Sequence, residues 1–184
     1  MTAIYSPESI DEAPNTDESQ EHQAALLRGE ILVQTRSHSV WGGAVTAKMY
    51  LPITRSSAWQ QLSDYPRWVE YFPDVTRSEV LQRGERTRLY QVGRKAFLFF
   101  TAQVEVYLNV FEVVQQQIQF RLEQGTFIDF AADLKLRDCG TGTLLTYAVR
   151  ATPNIPIPTV FIQQAMQWEL PDNMRRMRQI LCAR

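Results

Sequence analysis

Pro158-Thr159-Val160-Phe161-Ile162-Gln163-Gln164-Ala165-Met166-Gln167-Trp168-Glu169-Leu170-Pro171-Asp172-Asn173-Met174-Arg175-Arg176-Met177-Arg178-Gln179-Ile180-Leu181-Cys182 is the one long stretch with sustained helical periodicity. Ile162, Met166, Leu170, Met174, Met177 and Leu181 recur at steps of three or four, which stacks them on one face of a helix. Phe161, Ala165 and Trp168 widen that face in its first half, while Gln163, Gln164, Gln167, Arg175, Arg178 and Gln179 take the opposite side. Thr159 suits the N-cap, and Arg175, Arg176, Arg178 and Arg184 suit the negative end of the helix dipole. Burying each large side chain is worth roughly 1.5–3 kcal/mol, so the apolar face must lie on something. Met166, Leu170 and Met177 are expected to be nearly buried. Pro171 has no N–H for the carbonyl of Gln167, so it either kinks the helix or opens a second one with Asp172 in its first turn.

The partner surface is read from the strands upstream. Val45, Ala47, Met49 and Leu51 share one side of a strand over 44–51, after a bend or bulge at Trp41-Gly42-Gly43. Further strands are placed near 76–83, 86–93, 97–110, 116–124, 127–137 and 143–152. In the longest, Ala102, Val104, Val106, Leu108 and Val110 line one face. Ile118, Phe120 and Leu122, and then Phe130, Ala132, Leu134 and Leu136, alternate with polar neighbours. Asp138-Cys139-Gly140-Thr141-Gly142 reads as a hairpin turn. Between the first strand and this run lie two short helices, one capped by Thr54 with Ala58, Trp59 and Leu62 inward, the other capped by Asp64 and stopped by Pro73. Trp59, Tyr65, Trp68, Tyr71 and Phe72 give them more aromatic surface than their length can hide, so it faces inward. The order is strand, two short helices, six strands, long helix. This predicts an α+β, helix-grip fold, a curved antiparallel sheet wrapped round the C-terminal helix.

With 184 residues and 45% apolar content the chain suits one globular domain. Residues 1–27 hold six acidic residues and no Lys or Arg, leaving the rest with 19 basic residues against 14 acidic. Residues 1–28 are read as an acidic, disordered tail, with a short helix near Glu21–Arg28 stopped by Gly29, and residues 29–184 as the domain. The basic residues of the body alternate with acids, which argues against a nucleic-acid partner. The longest apolar run, Ala96–Phe100, is too short to span a membrane, so membrane contact is at most transient. Cys139 and Cys182 have no ligand-spaced partners, and no signal peptide is visible, which suits the cytoplasm. Oligomeric state stays open.

Met49-Tyr50-Leu51-Pro52-Ile53 with Ala58-Trp59, Leu62-Ser63-Asp64-Tyr65-Pro66-Arg67-Trp68 and Phe72-Pro73-Asp74-Val75 resemble the START/Bet v 1-like (SRPBCC) superfamily, in its polyketide cyclase/dehydrase and lipid-transport branch. Gly142–Tyr147, followed by Pro153, Pro156 and Pro158, resembles the same branch, and the Leu170-Pro171 step its cyanobacterial and plastid-type members. The likeness covers roughly residues 44–182. It implies a deep apolar cavity between sheet and final helix, and no particular reaction, since the superfamily holds lipid carriers, quinone-binding proteins, aromatase/cyclases and regulators.

Candidate lining residues for that cavity are Trp68, Tyr71, Phe72 and Phe127 from the body, with Met166, Trp168, Leu170 and Met174 from the last helix; each is otherwise part of a filled core. Ligand access is expected between residues 65–75 and the first half of the final helix. Tyr90, Tyr107, Asp129, Tyr147 and Arg150 are the polar residues able to reach the site. Asp129 and Arg150 are either a group that orients an enol or carboxylate or an ion pair on the solvent face. His22 lies in the tail and His38 beside the first strand, the glycines form no phosphate loop, and Cys, His and carboxylates do not cluster. No metal or cofactor is expected. The resulting reading is an apolar small-molecule binder for a lipid, isoprenoid, quinone or pigment. The alternatives are a polyketide cyclase/dehydratase-like enzyme and an interaction module with a collapsed cavity.

Overall fold

Period-two alternation shapes most of this chain, and its apolar side needs a cover. The computed structural model describes residues 16–39, 42–84, 86–96, 101–154 and 169–183. Among the described residues eight strands form one sheet: β1 (Leu32–Ser39), β2 (Gly42–Leu51), β3 (Val75–Gln82), β4 (Thr87–Ala96), β5 (Thr101–Val113), β6 (Gln117–Gly125), β7 (Phe127–Cys139) and β8 (Gly142–Pro153). Their order across the sheet is β1-β2-β8-β7-β6-β5-β4-β3, antiparallel throughout. Ala47 of β2, Leu108 of β5, Ile118 and Phe120 of β6, Leu134 of β7 and Leu145 of β8 are buried on one face, the concave side of the sheet. The helix-grip reading holds.

Helices α2 (Arg55–Leu62) and α3 (Trp68–Tyr71) follow β2, with a single 3₁₀ turn, Tyr65–Arg67, between them. Thr54 caps α2, its hydroxyl accepting from the Ser57 amide at 3.2 Å. Asp64 does not cap the next element: its side chain makes no cap hydrogen bond, and Pro66 sits in the first turn where an amide donor is not needed. Helix α4 (Leu170–Cys182) carries Pro171 and Asp172 in its first turn. The expected helix over 158–168 lies outside the described residues.

Met174, Met177 and Leu181 of α4 are wholly buried, and Leu170 half-buried. The arginines of α4 act differently from the sequence expectation. None lies in its last turn; Arg178 Nε donates to the Tyr50 carbonyl at 2.9 Å and Arg176 Nε to the Glu70 carbonyl at 2.6 Å. They fasten the helix to β2 and α3. Gln61 adds a third tie, donating to the Leu181 carbonyl at 3.0 Å, one of the helix-end acceptors that has no partner within its own helix.

The N-terminal segment departs from the disordered-tail reading at its far end. Helix α1 runs Thr16–Leu27, starting five residues before Glu21, and stops at Gly29, whose φ of +92° favours glycine. Ala25 and Leu26 are buried because α1 lies on the outer face of β2, over a groove of about 340 Å³ lined by Leu32, Lys48, Tyr50 and Leu144 among others. A second special backbone position is Gly125, at φ +148°, where any Cβ would stand 2.2 Å from the Glu105 carbonyl oxygen. It marks the shift in β5–β6 register at Tyr107/Leu108.

Candidate functional site

Trp68 is the centre of the site. Its indole Nε1–H donates to the Leu62 carbonyl at 3.0 Å, which fixes the ring and satisfies its polar edge. Among the described residues, four aromatic rings surround it. Phe72 stacks at 5.7 Å between centroids with 21° between planes; Phe120 meets it edge-on at 4.9 Å, Tyr147 at 6.2 Å and Tyr71 at 6.4 Å. Phe72 also reaches Tyr147, at 5.9 Å. Trp68 and Phe72 come from α3 and its C-cap, Phe120 and Tyr147 from β6 and β8, so the cluster spans the space between helix and sheet.

These residues differ in what they leave available. Tyr71 is wholly buried; its hydroxyl donates to the Gln61 carbonyl at 3.1 Å, and the Arg67 guanidinium lies 5.6 Å over its ring. Met174 is wholly buried too, among the core residues of α4. Phe72 and Leu170 are half-buried against the core. Phe127 stands apart: it pairs with Pro153, six residues beyond Tyr147 on β8, about 20 Å along an extended strand. There it packs on Phe130 at 5.6 Å. Met166 and Trp168 lie outside the described residues.

Tyr147 is 7% exposed, on the concave face between Ala47 and Leu134, its register partners on β2 and β7. Its hydroxyl has no hydrogen-bond partner among the described residues. Burial alone pushes its pKa above the ordinary phenol range. It is therefore a neutral donor at any physiological pH and a poor base.

The charged candidates sit elsewhere. Asp129 Oδ2 lies 2.6 Å from His38 Nε2 and 3.5 Å from Arg150 Nε, and the Arg150 side chain is 54% exposed. Arg150 faces outward because Tyr147 and Val149 alternate inward, so the pair is the solvent-face ion pair. His38 joins it because a β-bulge between Ser37 and Ser39 re-aims it. Tyr90 and Tyr107 do not reach the site either. They pair across β4 and β5 on the outer face, 4.8 Å apart, flanked by Arg77 and Arg88 over their rings. Among the described residues no group of three His, Cys, Asp or Glu is placed to hold a metal, and no helix is long and apolar enough to cross a membrane. Sequence reasoning did not single out Phe120 and Phe130 for the site, although the alternation of their strands puts both on the inward face.

The sequence pattern of the family described as polyketide cyclase / dehydrase and lipid transport matches residues 51–178. No curated protein matches the chain. Among solved structures, a STAR-related lipid transfer protein from Xanthomonas axonopodis superposes with a TM-score of 0.65 at 17% identity, over 82% of this chain and 93% of that one. A START superfamily protein from Mycobacterium smegmatis gives 0.56 at 15% identity, over 83% and 97%. The di-domain ARO/CYC StfQ of the steffimycin biosynthetic pathway gives 0.55 at 12%, over 91% of this chain and 54% of that one. At these identities the likeness establishes the fold, that of the START/Bet v 1 superfamily.

Proposed function

The chain belongs to the polyketide cyclase / dehydrase and lipid transport family, and from there we propose that it binds and carries an apolar small molecule between the concave sheet face and the C-terminal helix. A lipid, isoprenoid, quinone or pigment fits this role. The observation that carries the proposal is the cluster of Trp68, Phe72 and Tyr147 on the concave face, with the charged candidates Asp129 and Arg150 on the other side of the sheet. Trp68, Phe72, Tyr147 and Leu170 line the site, Tyr71 and Met174 form its floor, and Phe127, about 20 Å from Tyr147 along β8, marks its far end. The proposed lining also includes Met166 and Trp168, which lie outside the described residues. The half-buried cysteines Cys139 and Cys182, both free, support a reducing cytoplasmic setting. The Leu170-Pro171 step supports a cyanobacterial or plastid-type placement.

The family also holds cyclase-like enzymes, and a carrier is preferred because acid–base catalysis needs a group poised near neutral pH. Tyr147 is held neutral by burial, and the one carboxylate–arginine pair considered for the site is in solvent. The direct test is mass spectrometry of the natively purified protein, which should release one class of apolar molecule. Turnover of an aromatic polyketide intermediate that is lost on Tyr147→Phe or Arg150→Ala overturns the carrier reading.

A further inference from the structure

We infer that the end of the sheet bearing the β5–β6 hairpin tip docks on the surface of an anionic phospholipid bilayer. The inference goes beyond the proposed binding role and does not rest on it. Leu108 and Val110 alternate inward on β5, so Phe111 and Val113 point outward. The chain then turns back through Val113–Gln116, where the Gln116 amide donates to the Val113 carbonyl at 2.8 Å and Gln115 takes a φ of +58°. Turns of this kind favour Gly, Asn and Asp. Here Val114 stands next to the corner, 68% exposed. Of the seven large apolar side chains exposed among the described residues, Leu81, Phe111, Val113 and Val114 share this end; Leu27, Val69 and Ile128 stand singly on other elements. Because β3 and β5 run the same way, the β3–β4 turn with Arg83 and Arg86 lies at this end too.

The charge beside the apolar tip selects the partner. Gln82, Arg88 and Asn109 are successive register partners on β3, β4 and β5, and with Arg86 they line an open cleft of about 450 Å³. Among the described residues this lining is two guanidiniums and two carboxamides, with no carboxylate. The Arg86 guanidinium lies 5.8 Å over the Phe111 ring, which joins cleft to tip. The neighbouring acids are engaged: Glu123 accepts from Arg88 Nε at 2.7 Å, and Glu112 turns inward to accept from the Tyr65 hydroxyl. Glu85 lies outside the described residues. Phosphate oxygens suit such a set of donors, and an anionic leaflet attracts arginines held at its surface. A stable protein partner needs roughly 800 Å² a side, more than four partly exposed side chains supply. A bilayer interface takes up a small apolar tip flanked by cations.

Sedimentation of the full chain with phosphatidylcholine vesicles, with and without about one third phosphatidylglycerol, tests this at about 0.1 M salt. Wild type should bind the phosphatidylglycerol vesicles at least about tenfold more tightly than phosphatidylcholine alone. Arg86→Gln should weaken that binding about fivefold. Val113→Ser combined with Val114→Ser should weaken it about tenfold, and Val114→Ser alone replaces the pair should the double variant misfold. Ile128→Ser, exposed on β7, should bind like wild type. Equal binding to both vesicle types, no vesicle binding, or an Ile128→Ser loss as large as that of the valines overturns the inference. Binding that depends on Arg86 and not on the valines makes the cleft a site for free phosphate, and overturns the docking as well. A purified protein that releases no apolar molecule removes the binding role alone and leaves the vesicle result to decide this one.

Discussion

Met177→Ala is the sharpest test of the grip between α4 and the sheet. Met177 is wholly buried, one turn from Met174 and Leu181, which are wholly buried as well. The substitution removes three heavy atoms of side chain, about 2.4 kcal/mol of transfer free energy at about 0.8 kcal/mol each. Its neighbours are held from three sides, by the ties of Arg176, Arg178 and Gln61, so collapse into the gap is restricted. The residual cavity then raises the loss to about 3–4 kcal/mol, inside the range of about 2–5 kcal/mol for such changes in cores. For a domain of this size that lowers Tm by about 6–16 °C. Urea unfolding of the full chain, followed by far-UV circular dichroism, reads the change as a shifted midpoint at constant m. Gln179→Ala, on the exposed side of the same helix, serves as the control and should stay within about 0.5 kcal/mol. A Met177→Ala loss below about 1 kcal/mol at unchanged m refutes the reasoning, since it requires either a void already beside the residue or a helix that is not gripped.

Three further outcomes are expected. An apolar ligand such as 2-ethylanthracene should quench tryptophan emission, and Trp68→Phe should remove a large part of that response; an undiminished response places the ligand away from the α3 cluster. Tyr65 and Tyr147 both have pKa values raised by burial, Tyr65 further by its hydrogen bond to Glu112. Their folded pKa values exceed the unfolded value of about 10, so the stability they contribute is intact below pH ~10 and falls as pH rises beyond it. Phenolate absorbance at alkaline pH should show at least two of the seven tyrosines, Tyr65 and Tyr147, ionising only on unfolding, and complete ionisation in the folded protein would refute their burial. Gly125→Ala should destabilise by at least about 1–3 kcal/mol, because both its φ and the 2.2 Å approach to Glu105 exclude a side chain; a neutral result in thermal melts would mean that the β6–β7 turn is built differently.

The fold was legible where burial imposes a period. Val106, Leu108 and Val110, or Ala132, Leu134 and Leu136, alternate because one face is wet and the other dry, and the structure buries those six. The helix of the last quarter declared itself the same way through Met174, Met177 and Leu181. Tyr90 and Tyr107 were candidates because tyrosine suits a cavity wall and a solvated sheet face equally well; the alternation of Val106 and Leu108 turns Tyr107 outward, and cross-strand register takes Tyr90 with it. The arginines of α4 misled for a related reason. Position near a helix end suggests a dipole role, yet a long guanidinium reaches backbone carbonyls on other elements, and those partners are remote in sequence. Phe120 joined Trp68 through the same kind of distant contact, 52 residues apart along the chain (68 to 120).

The order of the sheet bears on how the chain is made. Every neighbouring pair of strands is consecutive along the chain except β2 and β8, whose paired residues stand 92 (51 to 143) to 108 (43 to 151) positions apart. Strands β3 to β8 can zip up as local hairpins with little loop entropy to overcome, whereas the β1–β2 hairpin emerges first from the ribosome and finds its partner last. Until β8 is complete, Val45, Ala47, Met49 and Leu51 form an unpaired apolar edge, the kind that invites pairing with another chain. The closing of the β2–β8 seam and the arrival of α4 on β2 both depend on the final quarter of the sequence. A nascent chain stalled before Thr143 is therefore the form most exposed to aggregation and most dependent on chaperones.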